Sequence, residues 1–244
     1  MTPPAVAKAH KETAQTLLHV ERVGLAVLKG AVAQVGPGDP ILTARRSHDV
    51  VAATVLDIRR AARAQGAIRF AAEVAAAGMS LPIPNLDPPT DADRLAAERA
   101  ARGYSDAILK QAQEWMAEHD AAQADPVLQA EAAKLETIAA TETSSAFSDE
   151  RTRVEKFLAE ENKETSWWPF LVKVWDATLD KRTCPVCRKM HREKRGWGTD
   201  WPSGKEPGKV HPNCRCIVNY HAIPIEVPGK TGVQIRPSAD SLVR

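Results

Sequence analysis

Two short stretches decide how the C-terminal part of this chain folds: TCPVCRKM, residues 183–190, and VHPNCRC, residues 210–216. They contain all four cysteines, as the pairs Cys184/Cys187 and Cys214/Cys216. A C-x2-C turn directs two sulfurs to one tetrahedral ion, and residues two apart on a strand project from one face. Because 26 residues lie between the pairs, the chain can loop out and return. The pattern predicts a Zn²⁺ site that ties a turn to a returning strand.

The spacing leaves the ligand set open. All four cysteines can bind one ion, or His211 can replace either Cys214 or Cys216. His191, four residues after Cys187, is a weaker candidate. A catalytic zinc needs an open coordination position, so the abundance of thiolates favours a closed, structural site. Without a metal, the cysteines would be small buried residues or a redox pair.

The rest of the chain has a different composition, which predicts helices. Of 40 alanines, 37 lie in residues 1–160, and alanine is the strongest helix former. We predict helices at 5–35, 42–77, 91–118 and 125–160, with the Thr/Ser cluster at 141–148 as a candidate break. β-Branched and aromatic residues predict antiparallel strands at 169–176 and 217–220. The predicted fold class is mainly α (α+β), an extended helical N-terminal region followed by a small zinc-stapled β module.

Breaker residues divide the chain into five parts. The segment MSLPIPNLDPPT, residues 79–90, contains four prolines and is predicted to be a linker. The next helix has Thr90 as a candidate cap, and the fourth begins at Asp125-Pro126. The predicted parts are a helical N-terminal region (1–78), the linker (79–90), a second helical region (91–165), the β/zinc module (166–222) and a tail (223–244).

Length, composition and charge exclude several classes of protein. The 244 residues are 43% hydrophobic and 26% charged, which is typical of a soluble globular protein. A formal net charge of +2 argues against a histone-like chain. The sequence contains no run of 18 apolar residues, so no membrane-spanning helix is predicted. The first 15 residues do not resemble a secretory signal. We therefore expect a reducing cytoplasm, in which cysteines bind metal or remain free thiols.

The positive charge is concentrated around the cysteines. Residues 181–216 contain ten Lys or Arg and three acidic residues, a net charge of +7. Such a patch indicates contact with a polyanion or an acidic protein surface. The alternative is that it balances metal-bound thiolates and improves solubility. The candidate contact residues are Arg188, Lys189, Arg192, Lys194 and Arg195.

Further stretches, read in order with the cysteine pairs, resemble a known family. They are IAATETSSAF (138–147), VWDATLDKRTCPVC (174–187), WP (201–202) and VHPNCRC (210–216). This order resembles the phage head morphogenesis (Mu F-like) family of minor head proteins, over about residues 130–222. One departure is the turn after the first cysteine pair. Family members have L-D-G-K there, whereas this chain has MHREK at 190–194, which is more basic and lacks the glycine. The family's structural motif falls on Thr141, Glu142, Trp175, Asp180 and Arg182.

We expect these motif residues to have structural roles. Asp180 and Arg182 can form a local ion pair. Glu142 is expected to bond a backbone donor or an arginine of the zinc module. The tryptophans of this region are expected to cover the metal site and to pack on the helix that carries residues 141–147; they are Trp175, Trp197 and Trp201.

The resemblance implies a minor capsid protein of a tailed phage, structural rather than catalytic, that takes part in procapsid assembly at or near the portal. The implied partners are the portal protein and/or the major capsid protein, with non-specific contact to packaged DNA and no membrane contact. The protein would act in the host bacterial cytoplasm and then lie in the head interior or at the portal vertex. The alternatives are a zinc-containing DNA-binding protein and a zinc-dependent nuclease. For the nuclease, His211 and Asn213 are candidates, but a second suitably placed histidine is missing.

Overall fold

The computed structural model describes residues 4–35, 40–78, 89–118, 127–161, 171–177 and 183–222. Most of them belong to four long helices: α1 (Pro4–Ala33), α2 (Pro40–Ala76), α3 (Asp91–Glu118) and α4 (Val127–Glu161). The C-terminal part contains β1 (Leu171–Asp176), α5 (Pro185–Met190), β2 (Lys194–Gly196) and β3 (Ile217–Ala222). The predicted fold class is confirmed, because the described chain is mainly helical and has a small antiparallel sheet near its C-terminal end.

The helix predictions agree with the structure within a few residues, and the third helix is observed at its predicted bounds. The candidate break at 141–148 is wrong, because α4 continues through these residues. Three of its small hydroxyl side chains are buried, Thr143 and Ser144 completely and Ser148 nearly so, and they serve close packing. Residues 79–88 of the predicted linker, the predicted tail, Asp180 and Arg182 lie outside the described residues.

The start of α3 follows the predicted cap and ties this helix to α2. The Thr90 hydroxyl accepts a hydrogen bond from the Asp93 N–H at 3.2 Å, and the Asp93 carboxylate accepts one from the Thr90 N–H at 2.9 Å. The same carboxylate pairs with Arg59 at 2.8 Å and Arg63 at 2.7 Å. Burial opposes the ionisation of Asp93, but the bonds from Thr90 and Arg59 outweigh it and lower the pKa to about 2.

Helix α2 is central, because it packs against α1, α3 and α4. Apolar residues of α2 and α3, including Val51, Val55 and Tyr104, form one continuous cluster with Leu28 of α1. Against α4 the approach is closer still. A Cβ added to Gly66 would lie 2.7 Å from the carbonyl oxygen of Phe147, so the absence of a side chain lets the two backbones meet.

None of the described helices has the length and apolar character needed to span a membrane.

The sheet has the order β2-β1-β3, with both pairings antiparallel, and it shares a core with the helices. Trp175 is opposite Val218, and Lys173 is opposite Tyr220. These four side chains are all buried. Their cluster includes apolar side chains of α2 and α4: Phe70, Val74, Val154 and Leu158. The predicted antiparallel pair of strands is confirmed. Helix α5 and strand β2 were not predicted, since a turn was expected at the first cysteine pair and a loop between the two pairs.

Replacement of Gly66 by alanine should destabilise the protein despite the better helix propensity of alanine. The expected cost is about 1–3 kcal/mol, the usual range for overpacking, because a backbone carbonyl cannot give way as a side chain can. The matched control is Gly30→Ala in α1, where an added Cβ meets nothing within 4 Å. This control should gain up to about 1 kcal/mol. Urea unfolding of both variants tests the difference, and equal effects would contradict it.

Candidate metal centre

The first cysteine pair lies in the opening turn of a short helix. Cys184 is the N-cap of α5, Pro185 occupies the first turn, and the Cys187 N–H donates to the Cys184 sulfur at 3.3 Å. Proline is suited to this position because its missing N–H needs no partner there. Cys187 is thereby buried at 1% exposure, while Cys184 remains half-buried. A C-x2-C turn was expected, and in the structure it is the first turn of helix α5.

The second pair follows a tight turn that α4 holds in place. The Cys214 N–H donates to the His211 carbonyl at 3.1 Å. Asn213 has a left-handed φ of 61°, a conformation that asparagine tolerates better than most residues. Its N–H donates to the Thr141 hydroxyl at 3.0 Å. Thr141 therefore links the family's helical motif directly to the turn that carries His211 and Cys214.

Gly208 brings the same loop into contact with α4. It has a left-handed φ of 83°, and a Cβ there would lie 2.6 Å from the Ser148 hydroxyl and 2.8 Å from the Ser144 carbonyl. The serines are four residues apart, so they lie on one face of the helix and form a shelf of small side chains. Sequence reasoning missed this contact. The only available signal was a glycine after a proline, which predicts a turn but not what it packs against.

The five predicted donor side chains come together in space. Cys184, Cys187 and His211 form one group, and Cys187, Cys214 and Cys216 form another; the donor atoms within each lie within 4.8 Å of one another. The Cys187 sulfur is 3.8 Å from the Cys214 sulfur and 3.6 Å from His211 Nε2. Around a tetrahedral zinc ion, bond lengths of about 2.3 Å to sulfur and 2.0–2.1 Å to nitrogen give separations of about 3.8 and 3.6 Å. The groups could therefore hold a metal ion.

The protonation of the buried thiols shows why a cation suits this site. The pKa of Cys214 is lowered to about 5, because Cys216 and backbone N–H groups, including those of Val210 and Gly208, direct hydrogen bonds to its sulfur. Burial, with contributions from neighbouring thiols, raises the pKa of Cys187 to about 12. Hydrogen bonding with Cys214 and burial also raise the pKa of Cys216. The surroundings of the Cys214 sulfur therefore favour its thiolate form. For Cys187 and Cys216, a bound cation would supply the positive charge that stabilises the thiolate form.

The tryptophans cover the cysteines and pack on the helix that carries residues 141–147, as expected. Trp175 is completely buried and contacts Trp201 edge to face, with ring centroids 5.2 Å apart. Trp197 packs on Phe70 of α2 at 5.4 Å. All three tryptophans share a cluster with Cys187, Cys214 and Cys216. On α4 this cluster includes Val154 and Leu158, one to two turns after the shelf at Ser144 and Ser148 that the Gly208 loop fills.

Glu142 has a different partner from the predicted one. Its carboxylate accepts a hydrogen bond from Arg59 of α2 at 2.7 Å. The observed arginine belongs to α2 and not to the cysteine module, because α2 lies alongside this face of α4. Burial raises the pKa of Glu142, and Arg59 opposes that shift.

The basic residues lie beside the metal centre and are mostly exposed. Arg188, Lys189, Arg192 and Lys194 are exposed, whereas Arg195 pairs with Glu193 at 2.8 Å. Arg192 has a left-handed φ of 66°, at the turn where the resembled family has glycine. An arginine thus occupies a backbone conformation that glycine adopts more easily.

His191 is not directed at the sulfurs. Its Nδ1 accepts a hydrogen bond from the Ala177 N–H at 3.2 Å, and it lies 3.6 Å from the Asp176 carboxylate. It belongs to neither donor group among the described residues. His211 is thus the better placed of the two histidines that the sequence suggested.

A cysteine and histidine module that could hold a metal ion, docked on a helix of small side chains, is the class of structure that these residues define. The family whose sequence model matches the chain is described as "Phage Mu protein F like protein", and the match covers residues 92–219, just over half of the chain. The chain belongs to this phage Mu F-like family, as its motifs indicated. The family consists of structural phage head proteins, and membership indicates a role in head morphogenesis. No curated protein and no solved structure matches the chain.

Substitution of Gly208 by alanine should loosen the metal-site loop from α4. An alanine at this position would be destabilising for two reasons. Its backbone would have a left-handed φ, and its Cβ would clash with the shelf formed by Ser144 and Ser148. Gly204→Ala is the matched control, because Gly204 also has a left-handed φ, of 63°, but an added Cβ would meet nothing within 4 Å. We expect the control to lose about 1 kcal/mol of stability and Gly208→Ala a further 1–3 kcal/mol. Thermal unfolding compares the two variants. Equal losses of stability would show that the close contact of Gly208 with α4 does not contribute to stability.

Proposed function

We propose that this protein is a minor head protein of a tailed phage, with a structural role in procapsid assembly at or near the portal. The observation that carries the proposal is that the family match, residues 92–219, runs from α3 into β3 and includes both cysteine pairs and His211. Its partners would be the portal protein and/or the major capsid protein. It would act in the host cytoplasm and then lie inside the head or at the portal vertex.

The donor set supports Zn²⁺ as a structural ion. Cys187 and Cys214 are each 1% exposed, and Cys216 is 4% exposed. Such burial leaves little room for substrate, which supports a structural rather than a catalytic role. Zinc would join the start of α5 to the segment that enters β3, two parts of the chain separated by 26 residues. Structural zinc contributes on the order of 10 kcal/mol in small zinc peptides, enough to order a short loop.

Mass spectrometry of purified particles tests the head role. Full heads and DNA-free proheads should both contain this chain, in a few copies per portal. Absence from both would overturn the proposal. Cys187→Ser should reduce incorporation, because it removes the residue common to both donor groups, whereas Lys156→Gln on the exposed surface of α4 should be incorporated normally.

Non-specific contact with packaged DNA is a second candidate function, favoured by the conformation of Arg192. A non-glycine residue in the left-handed region costs about 1–2 kcal/mol, and here the strained residue is an exposed cation. Three further exposed cations, Arg188, Lys189 and Lys194, lie on the same short segment. Exposed Lys and Arg side chains on a rigid support are suited to phosphate contacts.

Substitution of Arg192 by glycine separates backbone strain from charge. We expect Arg192→Gly to raise the free energy of unfolding by about 1 kcal/mol, because glycine adopts this φ without strain. Affinity for duplex DNA should fall, and the slope of log K against log[salt] should decrease by about 1, as for one lost phosphate contact. Arg46→Gln, at an exposed position of α2, is the control and should leave the slope unchanged. An unchanged slope for Arg192→Gly would refute the DNA contact, and cleavage of the DNA that requires Zn²⁺ would support the nuclease instead.

A further inference from the structure

We propose that the contact between His10 and His221 is a pH-sensitive switch, which holds the first turns of α1 on β3 at neutral pH and releases them at acidic pH. The contact joins parts of the chain that are more than 200 positions apart, since His10 also bonds to Tyr220, 210 positions later. Neither histidine belongs to the two donor groups found among the described residues. The proposal therefore depends neither on a bound metal ion nor on the head role.

The two histidine rings meet edge to face where α1 contacts β3. Their centroids are 4.4 Å apart, and the angle between the ring planes is 68°. His10 Nε2 lies 3.0 Å from the Tyr220 carbonyl oxygen. Because a carbonyl only accepts, Nε2 carries a proton and donates it to this bond. The bond joins α1 to the backbone of β3 directly before His221.

One carboxylate lies beside the pair, and its charge is already balanced. Glu73 of α2 is completely buried, and its Oε2 lies 3.7 Å from His10 Nε2. It accepts hydrogen bonds from Arg151 at 2.9 Å and from the Tyr220 N–H at 3.0 Å. A proton on His10 therefore has a carboxylate close by. Little unbalanced negative charge remains for a second proton on His221.

The surroundings of His221 oppose a positive charge. The pKa of this half-buried histidine is lowered to about 4, first by burial and then by His10 of α1 and Lys194 of β2, whereas Glu73 of α2 acts in the opposite direction. The residue opposite it on β1 is Val172, which carries no charge. In the docked state His221 thus stays neutral under conditions in which an exposed histidine takes up a proton.

This difference determines the direction of the pH effect. Once α1 is released, His221 is expected to regain the ordinary histidine pKa of about 6.5. The released state then binds more protons than the docked state, so a falling pH favours release. Docking is fully stable above pH 6.5 and is weakened progressively as the pH falls towards 4. From these two pKa values, the release equilibrium should rise roughly 30-fold between pH 7.5 and 5.

The packing of α1 limits the release to its first turns. The buried residues before Leu17 are Val6, Ala9 and Thr13, and two of these have small side chains. Further along, Leu28 is completely buried and belongs to the continuous cluster with α2 and α3. Because the first turns bury less apolar area, they are the part of α1 that opens most readily.

Hydrogen exchange of the wild-type full chain at pH 7.5 and 5 tests the switch, after correction for the pH dependence of intrinsic exchange. Protection factors over residues 4–17 should fall roughly 30-fold. Those of α3, residues 91–118, should remain higher at both pH values. Unchanged protection over residues 4–17 would overturn the proposal. Equal protection in the two segments at pH 5 would also overturn it, because the chain would then open as a whole.

Two variants identify the group that takes up the proton. His221→Phe keeps an aromatic ring against His10 but cannot be protonated, so protection over residues 4–17 should change less than about threefold between the two pH values. The matched control is His19→Gln, which removes an exposed histidine from the same helix and should keep the full wild-type fall. A full fall in His221→Phe, or its loss in His19→Gln, would show that a different group is responsible.

An NMR titration of the wild-type chain keeps the proposal testable if His221→Phe does not fold. The ring resonances of His221 should titrate well below pH 6.5, because the docked state keeps this side chain neutral. Titration near pH 6.5 would overturn the proposal, since docking would then have no influence on the protonation of His221.

Discussion

The buried pair of Arg151 and Glu73 is the interaction on which the rest of the structure depends. Strand β3 is an end strand, so one of its edges has no neighbouring strand. Side chains satisfy that edge: Arg151 donates to the Val218 carbonyl at 2.6 Å, and Glu73 accepts from the Tyr220 N–H at 3.0 Å. Arg151 and Glu73 also bond each other at 2.9 Å, and both are fully buried. Loss of one partner would leave an uncompensated buried charge, a defect that commonly costs 3–5 kcal/mol.

This arrangement makes the metal centre part of the helical core. The segment that leaves Cys216 enters β3 directly, and β3 is fixed by residues of α2 and α4. A second buried pair, Lys173 with Glu155 at 2.9 Å, fixes β1 to α4 in the same way. The glutamate also accepts from the Gly198 N–H, in the loop between the cysteine pairs. The strands that frame the sulfurs are thus positioned by charged side chains of the helices.

The sequence predicts the features that local rules determine. Alanine content and breakers give the helices, and Thr90 gives a cap that is observed. The spacing of the cysteines and His211 predicts five donors that do come together. Local rules could not predict the buried charges, because lysine and glutamate residues such as Lys173 and Glu155 are ordinarily expected at the surface. The contact of Gly208 with the serine shelf was also beyond it, since it joins residues about 60 positions apart that share no periodic pattern.

The contacts of α1 with the C-terminal segment link folding to the order of synthesis. His10 lies 3.0 Å from the Tyr220 carbonyl, 210 positions later in the chain, and Glu21 pairs with Arg215 at 2.7 Å. At bacterial translation rates of about 5–20 residues per second, the first helix waits on the order of 10–40 s for these partners. During that interval the face of α1 that carries His10 and Leu17 lacks its contacts with Tyr220 and Ile217 of β3. These contacts of α1 can therefore form only after residue 220 has been added.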